Sequence, residues 1–109
     1  MKTKQEITTE IVQSVVNWNR KTKGMLTTRA VAKKLGMKAP EVYKLLRLRG
    51  VLTLDEYGYW FCDRYKDMGL ALMRQFLHYN GEGQISIKQY PVWTERGVDF
   101  IKQQMAMSN

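Results

Sequence analysis

The stretch TTRAVAKKLGMKAPEVYKLLRLRG, from Thr27 to Gly50, holds two short amphipathic segments separated by a glycine. Gly36 stands where the chain can turn sharply, because glycine tolerates the left-handed conformation that ends helices. Pro40 and Glu41 suit the first turn of a following helix. Apolar residues recur at helical spacing on both sides of the turn: Val31, Ala32 and Leu35 before it, and Val42, Leu45 and Leu46 after it. This spacing predicts a helix-turn-helix, a unit whose second helix enters the major groove of DNA.

Positive charge is concentrated on and beside this stretch. Residues 20–50 contain ten Lys or Arg and one acid, Glu41, which gives a net charge of +9. The remaining residues contain eight basic and nine acidic side chains, a net charge of −1. A local basic field attracts a polyanion but confers no sequence preference. A solvated face that only keeps the protein soluble is the alternative. Because the charge coincides with a motif that needs it, we expect a nucleic-acid partner.

The composition bounds the class of protein. With 109 residues, 44% of them hydrophobic and 26% charged, the sequence predicts one soluble domain covering residues 1–109. A single cysteine, Cys62, excludes an internal disulfide and a structural zinc site. The N-terminal segment has no apolar core typical of a signal peptide, and no apolar run is long enough to span a bilayer. We therefore expect a cytoplasmic protein with no membrane partner.

Three helices are predicted in the first half of the chain. Residues 5–21 carry an apolar stripe typical of a helix, formed by Ile7, Ile11, Val15 and Trp18. The helix-turn-helix supplies the other two, from Thr28 to Leu35, capped by Thr27 or Thr28, and from Pro40 to Arg49. We expect the first helix to pack against these two in a three-helix core, with Trp18 inside it.

The pattern changes after Gly50. Residues 51–54 suggest a short strand followed by a turn, and residues 59–61 form an aromatic strand or a loop that packs on the core. Residues 70–79 and 84–93, joined by the turn Asn80–Gly83, predict a β-hairpin. Pro91 cannot donate to a strand ladder, so the second strand is expected either to lie at a sheet edge or to end near this residue. Thr94 caps a last helix, 95–105. The order predicts an α+β fold, a winged helix-turn-helix with three N-terminal helices, a β-hairpin wing and a C-terminal helix.

The predicted DNA-contacting residues follow from this arrangement. Lys44 and Arg47, with Tyr43, fall on the outward side of the second helix, where they can reach guanine edges, thymine methyl groups or phosphates. Lys38 lies at the start of that helix. Thr28, Arg29 and Lys33 on the preceding helix are expected to hold the DNA backbone, and Arg20, Lys21 and Lys23 to add phosphate contacts.

The predicted wing suits DNA less well. Its tip, Gly81-Glu82-Gly83, is acidic and would repel phosphate, and only Arg74 and Lys88 on its strands are basic. A structural role or a protein-contacting role for this hairpin is therefore at least as compatible with the sequence as a DNA contact.

No residue pattern predicts catalysis or a cofactor. His78 is the only histidine and has no companion ligands for a metal site. Cys62 lies in an aromatic segment typical of a buried thiol, and neither a third residue nor an oxyanion motif supports a catalytic pair with His78. We expect no metal, no cofactor and no enzyme activity.

The run LTTRAVAKKLGMKAPEVYKLLRLRGVL resembles the helix-turn-helix of the phage antirepressor KilAC domain. The resemblance rests first on a capped helix, a small-residue turn and a second helix that ends in the order Leu46, Arg47, Gly50, Leu52. Further along, Tyr65 and Gly69 match a tyrosine-containing linker and a glycine before a strand. Thr94 and Gly97 match the start of the family's last helix. The resemblance covers roughly residues 10–105, although residues 57–61 depart from the family's Pro-aromatic-Gln pattern.

This resemblance implies a phage or prophage protein with a DNA-binding role in transcription regulation. Family members commonly carry a separate N-terminal domain, so we expect this chain to be either a stand-alone variant or part of a longer protein. The first hypothesis is a regulator that binds duplex DNA. The sequence leaves open whether it acts as a monomer or as a homodimer, for which the C-terminal helix is one candidate interface. The alternative is a protein-interaction module that binds a repressor without contacting DNA, through the acidic hairpin and residues 57–61. Exposure of Tyr59, Trp60 and Phe61 distinguishes the two.

Overall fold

The computed structural model describes residues 3–79 and 81–107. Within them the chain has an α+β fold with four α-helices and a mixed five-stranded sheet. The helices are α1 (Lys4–Asn19), α2 (Thr28–Lys34), α3 (Ala39–Leu48) and α4 (Glu95–Ala106), and a 3₁₀ turn, Arg20–Thr22, follows α1. The strands are β1 (Leu26–Thr27), β2 (Leu52–Asp55), β3 (Gly58–Phe61), β4 (Ala71–Tyr79) and β5 (Ile85–Trp93).

The turn between α2 and α3 forms as the sequence predicts. The Thr27 hydroxyl accepts a hydrogen bond from the Ala30 N–H and so caps α2. Gly36 has a φ of 70°, and the next N–H, of Met37, donates back to the Ala32 carbonyl, which closes the end of the helix. The chain then enters α3, where the Lys38 N–H donates to the Glu41 carboxylate. These local bonds hold α2 and α3 together at the sharp turn.

β5 is the centre of the sheet. It pairs antiparallel with β4 along its whole length, and its other edge pairs with β1 and, in parallel, with β3. The second strand of the long hairpin, β5, is therefore not an edge strand, but it ends at Trp93, two residues after Pro91, which is the other outcome expected for this proline. The Gln89 N–H donates to the Tyr57 carbonyl on the β3 side, so the nitrogen of Pro91, two residues on, is directed to the same side. On this edge β5 pairs with β3 at Gln89 and with β1 from Val92 onward, so no strand residue pairs with Pro91. Proline is accommodated in this gap.

The sheet contains two hairpins, whereas the sequence predicted only the hairpin of residues 70–93. β2 and β3 form a short hairpin directly after α3, closed by the two-residue turn at residues 56–57. β4 and β5 form the long hairpin predicted from residues 70–93, and Asn80 of its turn lies outside the described residues. It is the short hairpin that packs against α3, through β2.

The expected three-helix core does not form. The first helix, α1, packs against β4 instead of α2 and α3, and no α1 residue belongs to the main buried cluster. The Asn19 amide bonds both the N–H and the carbonyl of Gln75, as a neighbouring strand would, and the Trp18 indole N–H donates to the Met73 carbonyl. Trp18 stays 40% exposed. The helix α1 thus covers the free edge of β4, whose unpaired backbone groups would otherwise be open to pairing with another chain.

The main core lies between α2, α3, α4 and the end of β5. Trp93 is its largest fully buried side chain. The same buried cluster holds apolar residues of α2, α3, β2, α4 and the segment before β4: Val31, Val42, Leu46, Leu52, Leu70 and Ile101. Thr94 caps α4, since its hydroxyl accepts from the Gly97 N–H and also donates towards the Gly69 carbonyl. Gly97 therefore sits directly against the Leu70 backbone and the Trp93 ring.

Replacing Gly97 by alanine is expected to destabilise the fold by about 1–3 kcal/mol, because the added methyl group would overlap the Leu70 carbonyl and the indole of Trp93. Gly81→Ala is the matched control, since open space surrounds that position. Urea unfolding followed by tryptophan fluorescence measures both. Equal stabilities for the two variants would show that α4 does not pack this closely.

Candidate nucleic-acid interface

The exposed stripe of α3 is the candidate site. Pro40, Lys44, Arg47 and Leu48 recur at the spacing of one helix face, and all four are exposed. The opposite side of α3 carries Val42 and Leu46, which are fully buried. The amphipathic pattern of the sequence therefore places the charged side correctly, because the apolar residues determine which face must be buried.

The basic side chains predicted on this side are open to solvent. Those exposed on α2, the turn and α3 are Arg29, Lys33, Lys34, Lys38, Lys44 and Arg47. Within the described residues, neither Lys44 nor Arg47 is held in a salt bridge. The one acid of this segment, Glu41, already accepts the Lys38 N–H. The surface thus carries unneutralised positive charge.

A groove of about 800 Å³ runs between α3 and the short hairpin. Tyr43, Lys44 and Arg47 line it from the helix, and Leu52, Leu54 and Tyr59 line it from the strands. Lys44 also borders a second groove, between α3 and α4, with Leu45 and Met105. The sequence analysis did not predict that the strands form one wall of the first groove. The alternation of Leu52, Leu54, Tyr59 and Phe61 with polar or exposed residues around a two-residue turn is the signal that predicts it.

Tyr43 lies beside the predicted outward surface and only partly on it. Its ring is half-buried and stacks on Tyr59, with ring centroids 4.1 Å apart and planes 11° from parallel. This stack joins α3 to β3. Stacked aromatic pairs contribute about 0.5–1.5 kcal/mol beyond the area they bury. The side chain therefore positions the short hairpin against α3.

Thr28 is not part of the exposed surface, contrary to our expectation. It is 2% exposed, and its hydroxyl accepts a hydrogen bond of 2.9 Å from the Trp93 indole N–H. It also bonds the Tyr43 side chain. A threonine just inside the start of a helix can lie at the surface or in the core. Thr28 lies in the core because its hydroxyl is the hydrogen-bond acceptor of the buried Trp93 indole. Thr28 is therefore unavailable to a DNA phosphate.

The short hairpin carries no positive charge. Its residues, 52–61, include two acids and no Lys or Arg. The Asp55 carboxylate accepts from the Tyr57 N–H and from the Trp60 indole N–H, both at 2.8 Å, which fixes the turn. Glu56 remains exposed at the tip. The tip is thus rigid and acidic, and it repels phosphate as the tip of the long hairpin does.

The aromatic residues 59–61 do not form one surface. Tyr59 faces Tyr43, and Phe61 packs edge-on against Trp93 at 5.7 Å, so both turn inward. Trp60 alone is turned outward, at 42% exposed. Alternation along a strand explains the split, since successive side chains point to opposite faces.

The two residues weighed as a catalytic pair lie in different places. Cys62 follows β3 and lines the groove beside α3, whereas His78 lies opposite Ser86 near the turn of the long hairpin. In the described part of the chain, no group of three His, Cys, Asp or Glu could hold a metal ion. No helix among the described residues is long and apolar enough to cross a membrane.

Burial raises the pKa of the Tyr43 hydroxyl above its ordinary value; the hydrogen bond with Thr28 opposes this, and the nearby Tyr59 and Tyr90 raise the pKa further. The folded state therefore holds the phenolic proton more tightly than the unfolded state does. The resulting stability is fully present below about pH 10, the ordinary pKa of tyrosine, and is lost as the pH rises through the folded pKa.

Tyr43→Phe is expected to cost about 0.5–1.5 kcal/mol at about pH 8, because the hydrogen bond with Thr28 is lost. At about pH 11 the variant should lose less stability than the parent chain, since phenylalanine does not ionise. Urea unfolding at the two pH values measures this difference. Tyr57→Phe, at an exposed position, is the control and should follow the parent. Parallel pH dependence of Tyr43→Phe and the parent would contradict the burial of this hydroxyl.

Comparison with known proteins places these features in one family. No curated protein and no solved structure matches the chain. The family model of the phage antirepressor protein KilAC domain matches residues 12–107, which include the candidate site and every strand of the sheet. The resemblance seen in the helix-turn-helix stretch, the linker glycine and the Thr94–Gly97 helix start is thereby confirmed, and the chain belongs to the phage antirepressor KilAC domain family.

Proposed function

We propose that residues 1–109 form one winged helix-turn-helix domain that binds duplex DNA as part of a phage transcription regulator acting in the cytoplasm. In this proposal α2 and α3 are the helix-turn-helix, and α3 enters the major groove. The observation that carries it is the open face of α3, where Lys44 and Arg47 are exposed and outside any described salt bridge. The family's description as an antirepressor domain supports a regulatory role and no catalytic one.

The contacts divide between base edges and phosphates. With α3 in the major groove of DNA, Lys44 and Arg47 would face the base edges. Arginine and lysine pair there with the acceptor atoms of guanine. Lys38, Arg29 and Lys33 lie on the turn and on α2, so they would contact the phosphate backbone and set the register. Thr28 and Tyr43 take a different role. They hold α2, α3 and β3 in a fixed arrangement, and so position the contacting side chains.

The short hairpin β2–β3 is the wing in this proposal, in place of the long hairpin. It follows α3 directly and contacts it through the Tyr43–Tyr59 stack. Its acidic tip would be repelled by the DNA backbone, so its role is to brace α3 and to limit how the helix can approach a duplex.

The alternative, a module that binds a repressor without DNA, depended on the acidic hairpin and on the aromatic segment 57–61, with the exposure of residues 59–61 as the observation that distinguishes it. Tyr59 and Phe61 turn inward, and the indole N–H of Trp60 is already bonded to Asp55. The exposed rings that remain in this segment are Tyr57 and Trp60, at 49% and 42% exposed. We therefore favour DNA as the partner.

The chain is expected to bind a random-sequence duplex, with affinity falling steeply between about 50 mM and 200 mM salt, because bound lysines and arginines release counterions. Fluorescence anisotropy with a labelled duplex measures this. Absence of binding at the lower salt, or an affinity indifferent to salt, would refute the proposal.

The double variant Lys44→Ala/Arg47→Ala should weaken that binding by about 1–3 kcal/mol and flatten the salt dependence. Lys102→Ala is the control, because it removes the same kind of charge from an exposed position on α4. If Lys102→Ala weakens binding as much as the double variant does, the contact depends on net charge and not on the face of α3.

A further inference from the structure

Leu48, the last residue of α3, is an apolar side chain that the fold leaves in solvent. It is 77% exposed, the largest exposed fraction among the large apolar side chains of the described residues. It belongs neither to the main buried cluster nor to the partly buried apolar residues that pack against that cluster. Packing of the core therefore does not explain a leucine at this position.

The place of Leu48 on α3 distinguishes it from other exposed apolar residues. It lies one helical turn after Lys44 and directly follows Arg47, on the face that carries the proposed base contacts. Leu48 and Lys44 each border both grooves that flank α3, so they form the ridge between the grooves. A single exposed leucine elsewhere on a protein needs no explanation. This one stands beside the two cations that are proposed to reach base edges.

The major groove of DNA offers one apolar group to such a side chain. Guanine, cytosine and adenine present hydrogen-bond donors and acceptors there, whereas thymine presents an acceptor and its C5-methyl group. An aliphatic side chain that covers a donor or an acceptor removes it from water without a new hydrogen bond, which costs free energy. Burial against a methyl group is favourable. An apolar residue on a helix in the major groove therefore favours thymine at the position that it covers.

We propose that Leu48 is a specificity-determining residue that contacts the C5-methyl group of a thymine. This inference rests on the proposed function, because it requires α3 to enter the major groove. Tyr43, the aromatic side chain of the same helix, is half-buried and stacked on Tyr59, so Leu48 is the more open of the two to DNA. The contact adds a base preference that phosphate contacts do not supply.

The spacing along α3 indicates where the thymine lies. Lys44 and Leu48 are about 6 Å apart along the helix axis, and successive base pairs are about 3.4 Å apart. Arg47 and Leu48 differ by only about 1.5 Å along the axis. The thymine is therefore expected within about two base pairs of the guanine that Lys44 or Arg47 contacts.

Duplexes that the parent chain selects from a random pool test this proposal. The best-bound sequence is prepared in two forms, one with thymine and one with deoxyuridine, which lacks only the C5-methyl group. Fluorescence anisotropy at low salt measures the affinity for each form. The parent chain should bind the thymine form about fourfold more tightly for one contacted methyl group.

Three variants show whether Leu48 is the source of this preference. Leu48→Ala should bind the two forms nearly equally, because alanine is too short to reach the methyl group. Leu48→Met keeps a long apolar side chain and should keep most of the preference. Leu54→Ala is the matched control, since Leu54 is also exposed but lies in the strand wall of the first groove, and it should prefer thymine as the parent does.

The ratio of the two affinities is compared within each variant, so a general loss of affinity cancels, and far-UV circular dichroism reports folding. Equal affinity of the parent chain for the two forms would overturn the proposal. A folded Leu48→Ala that keeps the parent's preference would overturn it as well. Both results leave DNA binding intact, whereas a parent chain that binds no duplex at low salt refutes the proposed function together with this inference.

Discussion

The hydrogen bond from the indole of Trp93 to Thr28 is the contact on which the rest of the structure depends. Trp93 ends β5 and is 1% exposed, so its N–H must find a partner inside the protein. Thr28, at the start of α2, supplies that partner and also bonds Tyr43 of α3. Phe61 and Gly97 pack on the same ring. One buried side chain thus sets the positions of both helices of the candidate site, the short hairpin and α4.

The elements fixed around Trp93 present the exposed face of α3, where Lys44 and Arg47 stand outside any described salt bridge. The first helix, α1, lies outside that core and covers the free edge of β4 through the hydrogen bonds of Trp18 and Asn19. The basic face and the long hairpin are therefore held in place by different contacts.

Much of the fold follows from the sequence because its signals are local. Thr27, Gly36 and Thr94 mark helix ends through bonds within a few residues, and the helices begin and end near the predicted positions. The exposure of Lys44 and Arg47 follows from helical periodicity. The family follows from the order of several weak motifs, each of which has a local structural reason such as the Thr94 cap.

The parts that the sequence did not predict depend on long-range contacts. An apolar stripe on α1 shows which face is buried, but it does not show whether helices or a strand edge cover it. Thr28 and Tyr43 looked exposed because their partners, Trp93 and Tyr59, lie 65 and 16 residues further along the chain. Proline has no N–H to donate, which is why the sequence predicted an edge strand or a strand end at Pro91. The sequence does not show that β1 and β3 leave this position of β5 without a strand partner.

The most direct test of the central claim, that the exposed face of α3 is the DNA-binding surface, is an NMR titration of the ¹⁵N-labelled chain with a short duplex at low salt. We predict that amide shift changes concentrate in residues 28–48, with little change in β4 and β5. Changes confined to α1, β4 and β5, or to the tip of the short hairpin, with α3 unaffected, would contradict this claim.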